Sequence, residues 1–370
     1  MKVRVPQRSL AAATRAAARR LPSRPLNPAL AGLLIDADGA RVTVTGSDLD
    51  TTSRLTFEAD IVEPGRVLAP GRVLADIVGG LPDGDVDLAV DGQELTVTAG
   101  RSSFTVALMD LVEYPGLPVL PGVSGTVPGD LLAQAVAHAA GVVDPSAVGN
   151  MAALAGIHLT PDGEKVRVTS TDRYCFIQHW LPWQAAGAGE AVTLPAKAFT
   201  EVAKALAGGD VAVALPTTGT VAGVVGGGYE SALRPLDAPF PDLDRVFPTE
   251  WAAVAAVDAP ELLAVVRRLG VVLDEKTPLY LEFGDDRLTV ATGTGASARG
   301  REYLPAAMDG ADRFRIAIRG QYLATALAPL TGEAHINLAT ATKPALVHDA
   351  AGPDTYRALV MPVRTDWTSQ

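Results

Sequence analysis

The sequence predicts an α+β fold: three copies of one domain, each with two helices packed on antiparallel sheet. Three observations predict it. Blocks of sequence return in the same order about 124 residues apart. Each copy holds two helical patterns separated by runs that alternate apolar and polar residues. The joints between copies are short and rich in Pro and Gly.

The repeat is explicit. "LAGLLID" at Leu30 returns as "LAGIHLT" at Leu154, and "VTVTGSDLD" at Val42 returns as "VRVTSTDRY" at Val166, both at an offset of 124. "PGRVLADIVGGLPDGDVDLAV" at Pro70 returns as "PAKAFTEVAKALAGGDVAVAL" at Pro195, an offset of 125. A weaker third copy keeps the order, with "PLYLEFGDDRLTVATGTG" at Pro278 and "IRGQYLATALAPLTGEAHINLA" at Ile318. "SSFTVALM", "GYESALRP" and "TYRALVMP" close the copies. This period is too long for a solenoid unit and suits an ordinary domain.

The elements follow in order. Copy one predicts a helix over 8–20, strands such as "ARVTVTG", a second helix over 70–78 and closing strands. Copy two repeats this with helices over 128–143 and 195–206, and copy three with helices over 259–269 and 319–327 around strands such as "DRLTVATG". "EYPGLPVLPGVSGTVP" and "PFPDLDRVFPTEW" read as linkers, which sets the domains at 1–122, 123–248 and 249–370, the last with a short C-terminal extension.

Composition narrows the function. The 370 residues carry a formal net charge of −11, which argues against a surface that coats nucleic acid all over. A local basic patch is still allowed, because association follows the local field. No apolar run approaches the roughly 18 residues of a bilayer span. The single cysteine, Cys175, excludes an internal disulfide and fits a reducing cytoplasm.

The charge is unevenly placed. Four arginines lie between Arg8 and Arg20, Arg24 follows, and no acid precedes Asp36. On a helix Arg8, Arg15 and Arg19 fall within about 40° of one another, with Leu10, Ala17 and Leu21 opposite. That pattern is a core-facing helix with a basic outer stripe, rather than a targeting peptide. By itself the stripe fits either a solvated face or a phosphate-facing one. Arg72 recurs as Lys197, Lys204 shares the face of Lys197, and Arg267 and Arg268 sit in the first helix of copy three. Acids gather in turns such as "GDVD", "DGQE" and "FGDD". Helices all facing one way would make one face basic, able to hold phosphate backbones without reading bases.

The repeat, "MKVRV", "TSTDRY", "PFPDLDRVFP" and the terminal "VMPVR" together resemble the bacterial sliding clamp family, the β subunit of DNA polymerase III, from residue 1 to about 364. The resemblance implies a head-to-tail dimeric ring, with helices lining the channel and sheets outside. It implies a cytoplasmic, non-catalytic processivity factor with no cofactor and no metal. Its partners would be encircled double-stranded DNA, the DNA polymerase III alpha subunit, the clamp loader and other proteins carrying the clamp-binding motif, with no membrane involved. By position Arg24, Arg72 and Lys197 match basic residues near DNA, and the helical face adds Arg15 and Arg19. The family's peptide pocket maps onto Leu154, Thr171, Arg173, Tyr174, Cys175, Phe176, Pro241, Arg245, Val246, Pro344, Val360, Met361, Pro362, Val363 and Arg364. For the apolar members of this set, ordinary core packing is the competing reading. The dimer interface maps onto Phe104 and Val106 on one side and Val271 and Val272 on the other.

Three departures raise an alternative. Cys175 stands where the family often has a basic residue, Phe176 where a smaller aliphatic is common, and the chain continues past "MPVR" as "TDWTSQ". Drift explains these, or a specialised second clamp whose altered pocket confers resistance to a clamp-binding peptide inhibitor.

Other classes fit less well. Asp36, Asp38, Asp48 and Asp50 are acids at turns, and Asp48 recurs as Asp172. The five histidines show no metal-ligand spacing, "VVGGGYE" lacks the rest of a dinucleotide fingerprint, and no nucleophile motif appears. A scaffold that binds only proteins leaves the arginine-rich first helix unexplained.

Overall fold

In the computed structural model, residues 1–217, 221–248, 250–274, 277–293 and 298–365 are described. Six helices occur among them: α1 (Gln7–Ala18), α2 (Gly71–Gly80), α3 (Gly129–Ala139), α4 (Ala196–Ala205), α5 (Ala259–Gly270) and α6 (Gly320–Leu327). Each lies where the repeat pattern predicts a helix. The clearest difference is α3, which ends at Ala139 and passes into the 3-10 turn Ala140–Val142 instead of running to 143.

One capping device recurs. The first turns of α1 and α2 are entered from Pro6 and Pro70, which offer no capping side chain. Instead, the first amide of a repeat's leading helix donates to a backbone carbonyl in the turn after the second helix. The bonds are Gln7 N to Gly84 O at 2.8 Å, Gly129 N to Gly209 O at 2.7 Å and Ala259 N to Gly332 O at 2.9 Å. A donor that a side chain would otherwise satisfy is thus satisfied three times by the fold itself.

The chain divides into two compact units, Met1–Asp130 with Ala185–Glu190 and Glu201–Pro235, and Leu131–Gln184 with Ala191–Thr200 and the chain from Leu236 onward. In the first, a five-stranded sheet runs in the order Asp60–Glu63, Lys2–Pro6, Asp85–Asp91, Glu94–Ala99, Ser102–Ala107. A second sheet brings strands of copies one and two together where Thr51–Glu58 pairs antiparallel with Tyr229–Leu233. Ser53 and Tyr229 share a 2.8 Å hydroxyl hydrogen bond across this seam, and Arg54 pairs with Glu230 beside it. Leu33, Ile35, Val42 and Val44 on one face of the sheet pack with Leu10, Ala13 and Ala17 of α1 and Leu74 and Val78 of α2. Alternation sends Leu34, Asp36, Thr43 and Thr45 to the other face.

In the second unit nine strands form one sheet, continuous from copy two to copy three because Cys175–Pro182 pairs antiparallel with Gly352–Val360. A four-stranded sheet runs Arg301–Pro305, Arg287–Thr292, Pro278–Gly284, Arg313–Arg319. Leu262, Val265, Val266 and Leu269 of α5 and Leu323, Ala326 and Leu327 of α6 fill the core between.

Candidate functional site

The basic stripe is built as α1 folds. Leu10, Ala17 and Leu21 are buried, which leaves Arg15 and Arg19 exposed on the other side. Arg24 follows in an exposed loop, and Lys197 is exposed on α4. Arg72 is exposed on α2 while its Nη2 donates to Leu21 O at 2.9 Å, which steadies the guanidinium without neutralising it. Among the described residues none of these five cations is ion-paired.

Two arginines of the same stretch behave differently. Arg8 pairs with Asp83 at 2.7 Å, and the contact holds the Asp83 carboxyl below its ordinary range. Arg20 is buried and its Nη2 meets Glu201 Oε2 at 2.5 Å, so it serves as an internal tie. The four arginines from Arg8 to Arg20 are therefore two unpaired outward cations, Arg15 and Arg19, plus two engaged ones.

The peptide-site residues gather around one turn and three strands. Asp172 Oδ1 accepts from Tyr174 N at 2.9 Å and Cys175 N at 2.8 Å. Thr171 Oγ1 accepts from Arg173 N at 2.9 Å and donates to Cys175 O at 2.8 Å. This network holds Arg173 in the left-handed region at φ 80° and turns out Tyr174, which is 46% exposed. Arg173 reaches Asp144 at 4.0 Å.

Beyond the turn, strand alternation sorts the side chains. Register pairs Phe176 with Leu359, and Leu359 with Leu346. These three pack with Leu243, and Phe240, Phe247, Trp251 and Met361 close around them. Register also pairs Cys175 with Val360, and Val360 with Ala345, and this row faces the other way into the α5–α6 core. Cys175 and Val360 were expected to line the groove. Period-two alternation puts both beneath it, and Leu359 and Leu346 take their places. Burial pushes the Cys175 thiol far up, beyond the range in which it ionises in neutral water.

The terminal segment is pinned beside this face. Met361 N donates to Tyr174 O at 2.8 Å and Val363 N to Ala317 O at 2.7 Å, and Pro362 bridges to Ile318. Arg364 is exposed. Tyr174 stacks near Tyr322 with centroids 6.2 Å apart, and the Arg319 guanidinium lies 5.3 Å from the Tyr174 ring. Burial and a hydrogen bond to Asp172 push Tyr322 up to about 12. The short helical turn Asp244–Val246 presents Arg245, paired with Asp242 at 2.9 Å, and half-exposed Val246 beside exposed Pro241. Leu154 and Pro344 are buried at the margin.

The result is an apolar cluster in which Leu359 is fully buried and Phe176 and Leu346 nearly so, with half-buried Met361 and a cationic and aromatic rim beside it. Such a surface suits an extended peptide with apolar anchors and a polar residue for the rim. Sequence reading missed Tyr322, Arg319, Phe240, Leu346 and Leu359. The alternation of "CFIQHW" and "ALVMP" was the available signal for the last two. Of the extension, only Thr365 is described, and 366–370 lie outside the described residues.

Two edges and two absences complete the picture. Among the described residues, Ser102–Ala107 pairs only with Glu94–Ala99, and Arg301–Pro305 only with Arg287–Thr292. Phe104 is 43% exposed on the first edge while Val106 is buried, and Tyr303 is 76% exposed on the second. Val271, 84% exposed, and Val272 follow the end of α5. Among the described residues, no group of three His, Cys, Asp or Glu side chains could hold a metal ion. No described helix is long and apolar enough to cross a membrane.

Comparison with known proteins agrees with this geometry. The sequence patterns of the DNA polymerase III beta subunit match in order: the N-terminal domain over residues 1–118, the central domain over 126–242 and the C-terminal domain over 244–364. A beta sliding clamp of Streptomyces coelicolor is 37% identical over 98% of this chain and 99% of its own. A beta sliding clamp homolog, GriR, of Streptomyces muensis is 33% identical over 98% of this chain and 99% of its own. The crystal structure of the DNA polymerase III subunit beta from Pseudomonas aeruginosa superposes with a TM-score of 0.90 at 24% identity, over 99% of this chain and 100% of that one. The same clamp bound to griselimycin gives a TM-score of 0.90 at 24% identity, with 99% and 100% covered. The chain therefore belongs to the DNA polymerase III beta subunit family, the bacterial DNA sliding clamps.

Proposed function

We propose that two copies of this chain join head to tail into a ring around duplex DNA. Each chain would contribute three domains, 1–122, 123–248 and 249–370. Arg15, Arg19, Arg24, Arg72 and Lys197 face the phosphates. They are few and exposed, as sliding requires, since many tight contacts would halt it. Topology supplies retention and the cations supply only weak guidance. The joint is made by the edge Ser102–Ala107 of one chain and Arg301–Pro305 of its partner, with Val271 and Val272 alongside. Pairing would hide two strand edges that otherwise invite non-specific association.

The groove floored by Phe176, Leu346 and Leu359 takes the clamp-binding peptides of the polymerase alpha subunit, the clamp loader and other partners. The chain acts as a tether in the cytoplasm, and the chemistry belongs to those partners. The observation that carries this reading is the pairing of two features in one family member: outward arginines on α1 and an apolar cluster, rimmed by exposed Tyr174, beside the pinned "MPVR" segment. Loading by a clamp loader onto nicked circular DNA tests it. Retention on the circle and release on linearising are expected, and retention on linear DNA overturns encirclement. The inhibitor-resistant alternative is compatible with the likeness to the clamp homolog GriR and to a griselimycin-bound clamp, but neither favours it, and buried Cys175 would not act on an inhibitor directly.

A further inference from the structure

The joint between copies two and three divides its side chains between two tasks. Pro241, Arg245 and Val246 are exposed, where a peptide in the groove would meet them. Phe240, Leu243 and Phe247 turn inward and pack on Phe176, Leu346 and Leu359. Backbone bonds anchor the joint near its ends, Leu236 N to Thr193 O at 2.9 Å and Ala252 N to Leu338 O at 2.8 Å. Between them, Val246 N donates to Leu243 O at 3.0 Å and closes the short turn Asp244–Val246.

Two ring contacts hold the inward side chains to the sheet. Phe240 stacks on His158, with centroids 4.5 Å apart and planes 4° from parallel. His158 is itself fixed, with Nδ1 2.9 Å from Thr193 Oγ1. At the other end the Arg357 guanidinium lies 4.1 Å from the Phe247 ring and 4.9 Å from the Trp180 ring. Its Nε donates to Gln178 Oε1 at 2.7 Å, and register sets Arg357 opposite Gln178. Alternation puts Arg357 on the same sheet face as Leu359. The first seam holds its joint from the same place with other chemistry. The repeat takes Arg54 to Gln178, and "GYES" to "TYRA", so the corresponding register pair there is Arg54 and Glu230. Arg54 Nη2 donates to Pro118 O of that joint at 2.9 Å. In both seams an arginine leaves the sheet to hold the joint. In the second its flat guanidinium does so on a ring face, which a lysine matches poorly.

We propose that Arg357 and His158 are positioning residues of the peptide groove, acting through Phe247 and Phe240. On the groove reading above, on which this assignment rests, the segment between the two stacks is the wall that meets the peptide. The ion pair of Arg245 with Asp242, at 2.9 Å, lies within that segment, so it does not fix the segment on the sheet. The two stacks do, from its first and last rings. Pro241, Arg245 and Val246 are thereby held ready, and a peptide is spared the cost of ordering them.

Fluorescence anisotropy on the intact protein tests this, with a labelled peptide copying the clamp-binding motif of the polymerase alpha subunit. Arg357→Ala and Phe247→Leu should each weaken binding by about threefold to tenfold, the range of a partly desolvated cation–π contact. The double variant should lose little more than the weaker-binding single one, because both changes remove the same contact. His158→Ala should weaken binding, and His158→Phe, which keeps a flat ring, should restore it. Arg357→Lys keeps the charge without the planar face, should also bind more weakly, and stands in if circular dichroism shows Arg357→Ala unfolded. Retention on circular DNA should stay parental in every folded variant. A matching loss of retention would make the role structural and overturn the assignment. Parental peptide affinity in Arg357→Ala or Phe247→Leu, or fully additive losses in the double variant, overturns it too. No binding by the parent is a separate result, which overturns the groove reading and this assignment with it.

Discussion

Asp48 and Asp172, 124 residues apart, build the same turn. Asp48 Oδ1 accepts from Asp50 N at 3.1 Å and Thr51 N at 2.6 Å, as Asp172 Oδ1 does from Tyr174 N and Cys175 N. Ser47 Oγ accepts from Leu49 N at 3.1 Å, where Thr171 Oγ1 accepts from Arg173 N. Leu49 and Arg173 are both left-handed, at φ 77° and 80°. Side-chain acceptors for consecutive amides hold a turn that neither residue favours alone. The acids are structural in both copies.

The shared turn gives the first prediction. Leu49 is 50% exposed, so replacing it removes little packing. Leu49→Gly relieves the left-handed strain and should leave stability unchanged or raise it by up to about 1 kcal/mol, despite glycine's entropy cost. Asp172→Ala leaves two amides unsatisfied and should cost about 1–3 kcal/mol. It should also weaken peptide binding by misplacing Tyr174. Urea midpoints and a peptide titration read both effects.

Opposite facings of Cys175 and Phe176 give the second. Cys175→Ala makes a small core cavity and should cost about 1–2 kcal/mol while peptide affinity stays within about twofold. Phe176→Leu should change affinity for a polymerase-derived peptide with little loss of stability, because it alters the groove floor. Native Cys175 should also resist a thiol reagent until the protein unfolds, since only the exposed thiolate reacts.

The stripe predicts salt-dependent binding. Arg15→Ala, Arg19→Ala and Arg24→Ala should each weaken DNA binding across all sequences and reduce the slope of log affinity against log salt by about 0.9. Arg8→Ala removes a cation already facing Asp83 and should act less. Arg20→Ala should act on stability, by about 1–3 kcal/mol, because it removes a buried side chain and its tie to Glu201. Affinities at several salt concentrations, with melting curves alongside, separate the three behaviours.

Buried histidines predict the acid side of the stability profile. Burial, then His138, pushes His179 down to about 3, and burial, then Arg167, pushes His158 down to about 4. Above the ordinary value of about 6.5 both rings are neutral folded and unfolded, so pH has no effect through them. As pH falls below that, the unfolded chain takes up protons that the folded chain refuses. Stability is therefore lost, by up to about 1.4 kcal/mol per pH unit for each ring. The ion-paired carboxylates, such as Asp83 and Asp87, are held below their ordinary range and give way only at lower pH. Urea midpoints between pH 7 and 5 thus isolate the histidines, and His179→Gln should flatten the profile.

How much of this was legible depends on the kind of signal. Helices were readable because the same helical patterns recur from copy to copy, and a Pro entry marked the start of four of the six, at Pro6, Pro70, Pro128 and Pro195. The carbonyl caps at Gly84, Gly209 and Gly332 were not, because a backbone acceptor leaves no side-chain trace. The joints read as linkers, which holds for chain direction. Yet Phe240, Leu243, Phe247 and Trp251 pack into the groove cluster, and Tyr114 roofs a cavity. Proline-rich composition does not distinguish a free linker from one pinned to a sheet. Facing was the weakest point, because a one-residue error inverts it, as with Val360 and Leu359.

The sheet edges give the last prediction. In the proposed ring, Phe104 on Ser102–Ala107 and Tyr303 on Arg301–Pro305 meet where two chains join their sheets. Backbone pairing supplies much of that contact, and large exposed side chains near its centre supply the anchor. A charge at either point must be buried without a partner on assembly, which costs several kcal/mol. Phe104→Asp and Tyr303→Asp should therefore each raise the dimer dissociation constant by about 100-fold or more. Neither residue is a buried core side chain, so both monomers should stay folded by circular dichroism. Val62→Asp is the control. Val62 is 68% exposed on the strand Asp60–Glu63, at the opposite edge of the same five-stranded sheet, and should leave assembly unchanged. Sedimentation velocity across a dilution series reads all three. Dimers of parental stability in both edge variants would place the joint elsewhere, whereas dissociation in the Val62 variant alone would move it to the other edge.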